Sequence, residues 1–549
     1  MTNTLKADFI ERIQHGLKRK SINSCSKWAE TYRVLKGKRW SFEEFPWTRE
    51  PHDCKSEYIV IRKAAQMGFT EVALNLTFYK IDIVNDDCLY VLPTESDASD
   101  FSSGRFDPAL AECEHLQKLF SDVNNVGLKR AGNSTLYVRG SKSRSKLKSI
   151  PTGHITLDEV EEMSQENIPL AFERASGQKA PQKLLISTPI VPKKGIDVYY
   201  EGSTQDEFYF KCPHCSKYIM FRFPESLIIT GDNINDPELD KSHYICYECK
   251  GILTHEEKFE YLKTGIYVPT YKDREMTGYT VSQLYSMRPV GTPKNIAKAF
   301  LRTKADPTEE QEFFNSKLGK PHIVANSQLT EQEVEECKKP FVKGIRPKSP
   351  IITIGVDIGK YWHVEVDEWY IDSKSTEQLI NERAICRVLE QEQIDLKRGE
   401  EPLINLIRKY KPSGVVIDIQ PETLMGYRLT KKFPGVVYLC KFVRSVGAKH
   451  IQFNEEERRI NVDRTSWLDL ALKRFRKRTI QIPANVTQDY IEHMLKLIRV
   501  YEKDSDGNPV GRYISADDTD HYAFSRVYAE IALGIANKNR QHQTIEKPI

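Results

Sequence analysis

The chain has 549 residues, more than one hydrophobic core usually organises, so two or more domains are expected. With 39% hydrophobic and 29% charged residues, and no apolar run approaching the roughly 20 residues of a bilayer span, the composition excludes disordered and membrane-embedded chains. A formal charge of only +4, from 81 Lys+Arg against 77 Asp+Glu, excludes a uniformly basic nucleic-acid coat and directs attention to local clusters.

The first residues, Met1 to Asp8, lack the apolar core of a secretory signal, so a cytosolic setting is expected and the 11 cysteines read as thiols or metal ligands. Glu57 to Lys63 is an apolar, β-branched run that predicts a buried strand. A turn follows at Gly68, and Val72, Leu76, Tyr79 and Ile83 recur at helical spacing. A phosphate-binding loop reads GxxxxGK[ST], its backbone N–H groups and helix N-terminus cradling phosphate. Here the stretch from Lys63 to Thr70 has Lys63 in place of the first glycine and Phe69 in place of the lysine, so a cation reaches the phosphates from the other end of the loop. Lys63, Gln66, Gly68, Phe69 and Thr70 are the ATP-binding candidates on this loop.

Further apolar strands at Cys88–Leu92, His154–Asp158 and Lys183–Ser187 alternate with helical or polar sequence and predict a parallel α/β sheet. Asp158 closes one of them, where a carboxylate can hold Mg²⁺ beside ATP, and Glu159 is placed to orient the attacking water as a general base. Ser187 and Thr188 bring two hydroxyls to the tip of the next strand and are candidates for coupling hydrolysis to movement. Between Lys129 and Lys148 lie seven cations and no acid. Lys142, Arg144, Lys146 and Lys148 are the DNA-binding candidates there, against the alternative of a solvated face, and Lys473 to Arg478 is a second basic run.

Two CxxC knuckles, Cys212/Cys215 and Cys246/Cys249, supply the four thiolates of a tetrahedral Zn²⁺ site, with a redox role for one pair as the alternative; His214 and His243 read as bystanders. A Pro/Lys-rich run, Lys338 to Pro340 and Arg346 to Pro350, is the best linker. Beyond it, Asp357 and Asp418 each sit in an apolar strand, where a carboxylate is costly unless it binds something. Asp517 and Asp520 precede a closing helix, and either completes an acid cluster able to hold two Mg²⁺ or Mn²⁺ ions about 4 Å apart. His521 and Glu365 are possible accessories.

These residues, together with Leu92 to Thr94, Arg105 to Pro108, Leu157 to Val160, Ile186 to Pro189 and Phe313 to Pro321, resemble the large terminase subunit of lambda-like tailed phages, the gpA type. The resemblance runs from about residue 40 to 535. It implies an α/β protein with an N-terminal P-loop (ASCE-type) ATPase, a zinc-knuckle insertion and a C-terminal RNase H-like nuclease. It implies catalytic roles for Glu159, Asp357, Asp418 and Asp517 or Asp520, and partners in double-stranded DNA, a small terminase subunit, the procapsid portal and a homo-oligomeric ring in the host cytoplasm. The expected division is 1–45 N-terminal segment contacting the small subunit, 46–204 ATPase core, 205–255 zinc insertion, 256–340 helical or mixed subdomain and linker, 345–535 nuclease and 536–549 tail. The alternatives are a helicase-nuclease of repair or restriction, and a zinc-ribbon scaffold with inactive acids.

Overall fold

Strand β1 (Tyr58–Lys63) carries three consecutive fully buried residues, Ile59, Val60 and Ile61, the mark of a strand covered on both faces. The computed structural model describes residues 22–338 except 149, and 350–371, 380–420, 423–443, 451–503, 508–515 and 519–545. The chain divides into two units, Met1–His322 and Ile323–Ile549.

In the first unit β1 leads through a loop into helix α1 (Phe69–Tyr79), which Gly68 caps in the left-handed region at φ 85°. A side chain there would be strained, and its Cβ would come within 3.0 Å of the Phe45 ring. Strands β2 (Cys88–Leu92), β3 (Ser134–Gly140), β4 (His154–Asp158), β5 (Gln182–Ser187), β6 (Asp206–Lys211) and β7 (Thr277–Val281) follow in the chain. In the sheet they are ordered β6-β7-β1-β5-β4-β2-β3, every neighbouring pair parallel. One strand, β5, therefore separates the loop-bearing β1 from β4, the arrangement expected of an ASCE-type core.

Two stretches set apart in the sequence are structurally joined to this sheet. Within 1–45, residues 1–21 lie outside the described residues; helix Cys25–Tyr32 docks on the core, with Trp28 Nε1 donating to Asp82 (2.9 Å) and the neighbouring Arg33 paired with Glu71 (3.0 Å). Within 256–340, β7 lies directly beside β1, and Val281 O accepts from Ala64 N at the root of the loop (3.0 Å). The cysteine-bearing stretch hangs from β6 and adds a small sheet of Leu227–Ile228, His243–Ile245 and Ile252–Leu253. Its core is aromatic, Phe221 lying 4.9 to 5.1 Å from the rings of Tyr244, Phe210 and Tyr285.

In the second unit, β8 (Ile351–Ile358), β9 (Tyr361–Ile371) and β10 (Ala384–Asp395) form an antiparallel meander, and β11 (Gly414–Asp418) and β12 (Val437–Val443) extend it in parallel on the other side of β8. The order β10-β9-β8-β11-β12, with helix α2 (His521–Ile545) across β8, is the RNase H-like topology that the apolar strand pattern and closing helix predict. Gly355 permits the close crossing, since a Cβ there would lie 2.0 Å from Ser525 O and 2.2 Å from Ala529 N. Beneath the sheet Arg526, fully buried, meets Glu365 (2.6 Å), Asp367 and Glu530 (3.1 Å), while Arg474 pairs with Glu530 at 2.5 Å. The linker residues 339–349 and the end of the tail, 546–549, fall outside the described residues.

Candidate functional site

The carboxyl ends of β1, β5 and β4 finish level, because Arg62 pairs with Ser187 and Asp158 with Ile186 in the ladder. In parallel α/β sheets this edge is where ligands bind. Lys63, Thr188 and Glu159 meet there: Lys63 Nζ lies 3.7 Å from Glu159 Oε1 and 3.5 Å from Thr188 Oγ1. The loop between Lys63 and Gly68 is held from outside. Ala65 N donates to Ser316 O (2.9 Å), Gln283 Nε2 to Ala65 O (2.9 Å) and Trp47 Nε1 to Met67 O (3.0 Å). None of the N–H groups from Gln66 to Thr70 is paired with a backbone carbonyl among the described residues, so they line a helix N-terminus suited to an anion.

Asp158 is buried and bonded by Tyr90 Oη at 2.7 Å, while its Oδ1 has no protein partner among the described residues. Burial, and then the charge of Glu159, push its carboxyl up to about 6, as befits an acid waiting for a cation. Glu159 sits in the left-handed region at φ 66°, unusual for a non-glycine residue, and its side chain is 47% exposed, turned to the edge rather than into the core. Other candidates fall differently. Phe69 is in the hydrophobic core, leaving only its backbone for a phosphate, whereas Gln66 is exposed and Thr70 half-buried. Ser187 is buried and accepts from Glu161 N at 3.3 Å, so its hydroxyl secures the turn after β4.

In the second unit Asp357 and Asp418 lie on neighbouring parallel strands one step beyond the pair Val356 and Ile417, and Asp520 precedes the first turn of α2. Burial raises all three carboxyls. The charge of Asp357 adds to the rise in Asp418, which reaches about 6, and in Asp520. Asp357 thus acts electrostatically on both of the other carboxylates. Asp517 lies outside the described residues.

His521 Nδ1 lies 2.8 Å from Asp357 Oδ2, and His363, opposite Asp357 in the β8–β9 ladder, stacks on His521 with centroids 4.8 Å apart. Burial, and the charges of His521 and His493, hold His363 down to about 3 and hence neutral. Sequence reasoning missed His363; its alternation with Glu365 and Asp367 along β9 is the signal that puts it on the inward face. Glu365, the other possible accessory, is fully buried and paired with Arg526 at 2.6 Å.

In the inserted module Sγ of Cys212 lies 3.9 Å from that of Cys249, and Sγ of Cys215 lies 4.0 Å from that of Cys246. Zn–S bonds of about 2.3 Å in a tetrahedron require S···S near ~3.8 Å. The knuckles mirror each other: Ser216 N donates to Cys212 O and Lys250 N to Cys246 O, with Ser216 and Lys250 both left-handed at φ 61° and 64°. His214 bonds Ile252 O and His243 bonds Lys241 O, neither belonging to the thiol cluster.

The basic runs part ways. Lys142, Arg144, Lys146 and Lys148 are exposed on one loop, Lys146 pairing with Glu95 at 3.0 Å. Upstream, Lys129 is buried against Asp107 (2.6 Å). In the second run Arg474 is buried on Glu530, whereas Lys473, Lys477 and Arg478 are exposed, Arg478 pairing with Glu336. No helix among the described residues is long and apolar enough to cross a membrane.

A parallel-sheet unit with a loop–lysine–acid edge, followed by an RNase H-like unit with clustered acids, is the make-up of a terminase large subunit. Residues 35–267 match the ATPase domain of the phage terminase large subunit gpA, and residues 276–420 match the gpA endonuclease domain. The chain belongs to this gpA family of terminase large subunits. The terminase large subunit of Escherichia phage lambda is 23% identical over 420 residues, covering 66% of this chain and 64% of that protein. That of Enterobacteria phage P21 is 23% identical over 334 residues, covering 54% and 51%. The chain thus spans less than two thirds of the length of these relatives. The crystal structure of the HK97 bacteriophage large terminase shares the fold, with TM-score 0.51 at 9% identity over 93% of this chain and 99% of that one.

The raised Asp418 carboxyl sets a pH test. Its folded value of about 6 lies above the ordinary 3.8, so the charged form opposes folding fully above pH about 6 and not at all below pH about 4. Asp418→Asn is expected to stabilise the metal-free protein at pH 7 by about 1–3 kcal/mol, with the gain vanishing near pH 4. Urea midpoints across that range check it, and a less stable variant at pH 7 would contradict it.

Proposed function

We propose that the chain is a packaging terminase subunit that hydrolyses ATP in its first unit to drive double-stranded DNA into a procapsid, and cuts concatemeric DNA in its second unit with Mg²⁺ or Mn²⁺. The observation that carries this reading is that buried acids occur at the carboxyl ends of parallel strands in both units, Asp158 in the first and Asp357 and Asp418 in the second. The first adjoins a phosphate-type loop, and the second pair lies on an RNase H-like sheet.

In the first unit the free N–H groups of Gln66 to Thr70 and the cation of Lys63 bind the phosphates, and Asp158 holds the accompanying Mg²⁺. Lys63, drawn to the phosphates, gives up its pair with Glu159. The freed carboxylate then orients water and accepts its proton. Thr188, within reach of the same Lys63, senses that movement and passes it to β5. In the second unit Asp357, Asp418 and Asp520, with Asp517 as the alternative third ligand, hold the divalent cations, which supply an activated water and stabilise the leaving oxygen when bound. Cys212, Cys215, Cys246 and Cys249 hold Zn²⁺ as a structural tie. Lys142, Arg144, Lys146 and Lys148 meet the DNA backbone.

The partners that go with this reading are the small terminase subunit, met by the N-terminal segment, and the procapsid portal, met by the tail, with a homo-oligomeric ring during packaging in the host cytoplasm. A repair helicase-nuclease and an inactive scaffold are not favoured, since both units match the terminase family.

Separate substitutions test the division of labour. Glu159→Gln is expected to lower DNA-stimulated ATP turnover by about 10²–10⁴-fold while leaving Mn²⁺-dependent nicking, and Asp357→Ala to do the reverse. Neutralising Lys142, Arg144 and Lys148 together should weaken the DNA stimulation and flatten its salt dependence. Loss of both activities in either single variant, or none in the wild type, contradicts the reading. For the cysteine module, metal analysis of the purified chain should find about one zinc per molecule, and its absence would remove that assignment.

A further inference from the structure

The segment from Arg105 to Pro108 holds none of the ATP-site candidates, yet it packs against one of them through a single intermediary. Phe106 is fully buried and meets the ring of Tyr90 edge-on with centroids 5.3 Å apart, while Phe101 stacks on the same ring at 4.9 Å. Tyr90 lies midway along β2 and pairs with Thr156 of β4, so Asp158, two residues further along β4, projects from the same face of the sheet. From that segment Arg105 also reaches Glu71 in the first turn of α1 at 3.7 Å, and Asp107 pairs with the buried Lys129 at 2.6 Å. The clamp on Tyr90 is thereby tied to the helix that the phosphate loop opens.

Every residue of β2 is buried, and a phenol hydroxyl is costly in such a strand unless it is bonded. A phenol has one O–H to donate, and Tyr90 gives it to Asp158 Oδ2 at 2.7 Å. A hydrogen bond to a carboxylate is stronger than a neutral one, so this contact fixes how the carboxyl group is turned. The other oxygen, Oδ1, is left buried without a partner among the described residues, at the edge where Lys63 and Glu159 also stand. A buried acceptor is normally paired, so Oδ1 is the atom kept for a ligand. Phenylalanine would fill the same space between Phe101 and Phe106, and only the hydroxyl distinguishes Tyr90 from a core aromatic.

We propose that Tyr90 is a positioning residue of the ATPase centre: by holding Asp158 Oδ2 it assigns Oδ1 to the Mg²⁺ that accompanies ATP. Phe101 and Phe106 clamp the ring that does so. The proposal rests on the reading of Asp158 as a metal ligand and deepens it, since it names the oxygen and the group that selects it.

The test uses the full chain with bound ADP, titrated with Mn²⁺ and read by pulsed electron paramagnetic resonance. Coupling to phosphorus marks the ion at the nucleotide and separates it from Mn²⁺ held elsewhere on the chain. Tyr90→Phe, which keeps the ring, is expected to weaken Mn²⁺ at this site by roughly 10-fold or more, while ADP binding without metal is unchanged. ATP turnover should fall at limiting Mg²⁺ and recover as Mg²⁺ is raised, a split that loss of packing would not produce. Asp158→Asn serves as the reference. Tyr90→Phe protein with wild-type Mn²⁺ affinity and Mg²⁺ dependence, beside an Asp158→Asn protein impaired in both, overturns the role of Tyr90 and leaves the ATP-site reading intact. An Asp158→Asn protein that binds Mn²⁺ with ADP and turns over ATP as the wild type does sinks the metal-ligand reading itself, and the proposal with it.

Discussion

Asp418 ends one strand and Asp357 stands one residue from the end of its parallel neighbour, and the sheet register brings their charges together where burial already penalises them. A fold does not keep such a conflict for stability, because replacing either acid would relieve it. The rest of the second unit is arranged to maintain it. Gly355 lets α2 lie close on β8, which carries Asp520 and His521 to the same edge, and the Arg526 and Arg474 network pins α2 from beneath. The first unit repeats the principle with Asp158 and Glu159, where the ion pair to Lys63 is the partial compensation.

The two units differ in how their acids are balanced, and that difference bears on chemistry. At the first edge a lysine stands between the acid pair and a hydroxyl, so the site can change state when Lys63 changes partner. At the second edge the charge of Arg464 acts on Asp520, and His521 Nδ1 lies 2.8 Å from Asp357 Oδ2.

Much of this was legible in the chain. Consecutive apolar residues in Tyr58–Lys63 and Gly414–Asp418 mark strands buried on both faces, and a carboxylate at the end of such a run stands out against its neighbours. The cysteine pairs were equally plain, since their spacing encodes the knuckle geometry itself. What was not legible depends on contacts distant in sequence. Nothing local distinguishes Arg474, which is buried on Glu530, from the exposed cations Lys142 and Arg144. Strand Thr277–Val281 gives no sign that it will lie beside Tyr58–Lys63, more than two hundred residues upstream, and brace the phosphate loop through Val281. His363 escaped notice because a lone histidine in a strand acquires meaning only once the ladder sets it opposite Asp357.

On the proposed function, the buried acids Asp158, Asp357, Asp418 and Asp520 hold cations in two independent places. Anomalous diffraction from crystals of the full chain soaked with Mn²⁺ and a non-hydrolysable ATP analogue tests it most directly. Scattering is expected beside Asp158 and, separately, in the pocket of Asp357, Asp418 and Asp520. Density confined to the protein surface, with these carboxylates metal-free or paired with lysines, would contradict the account.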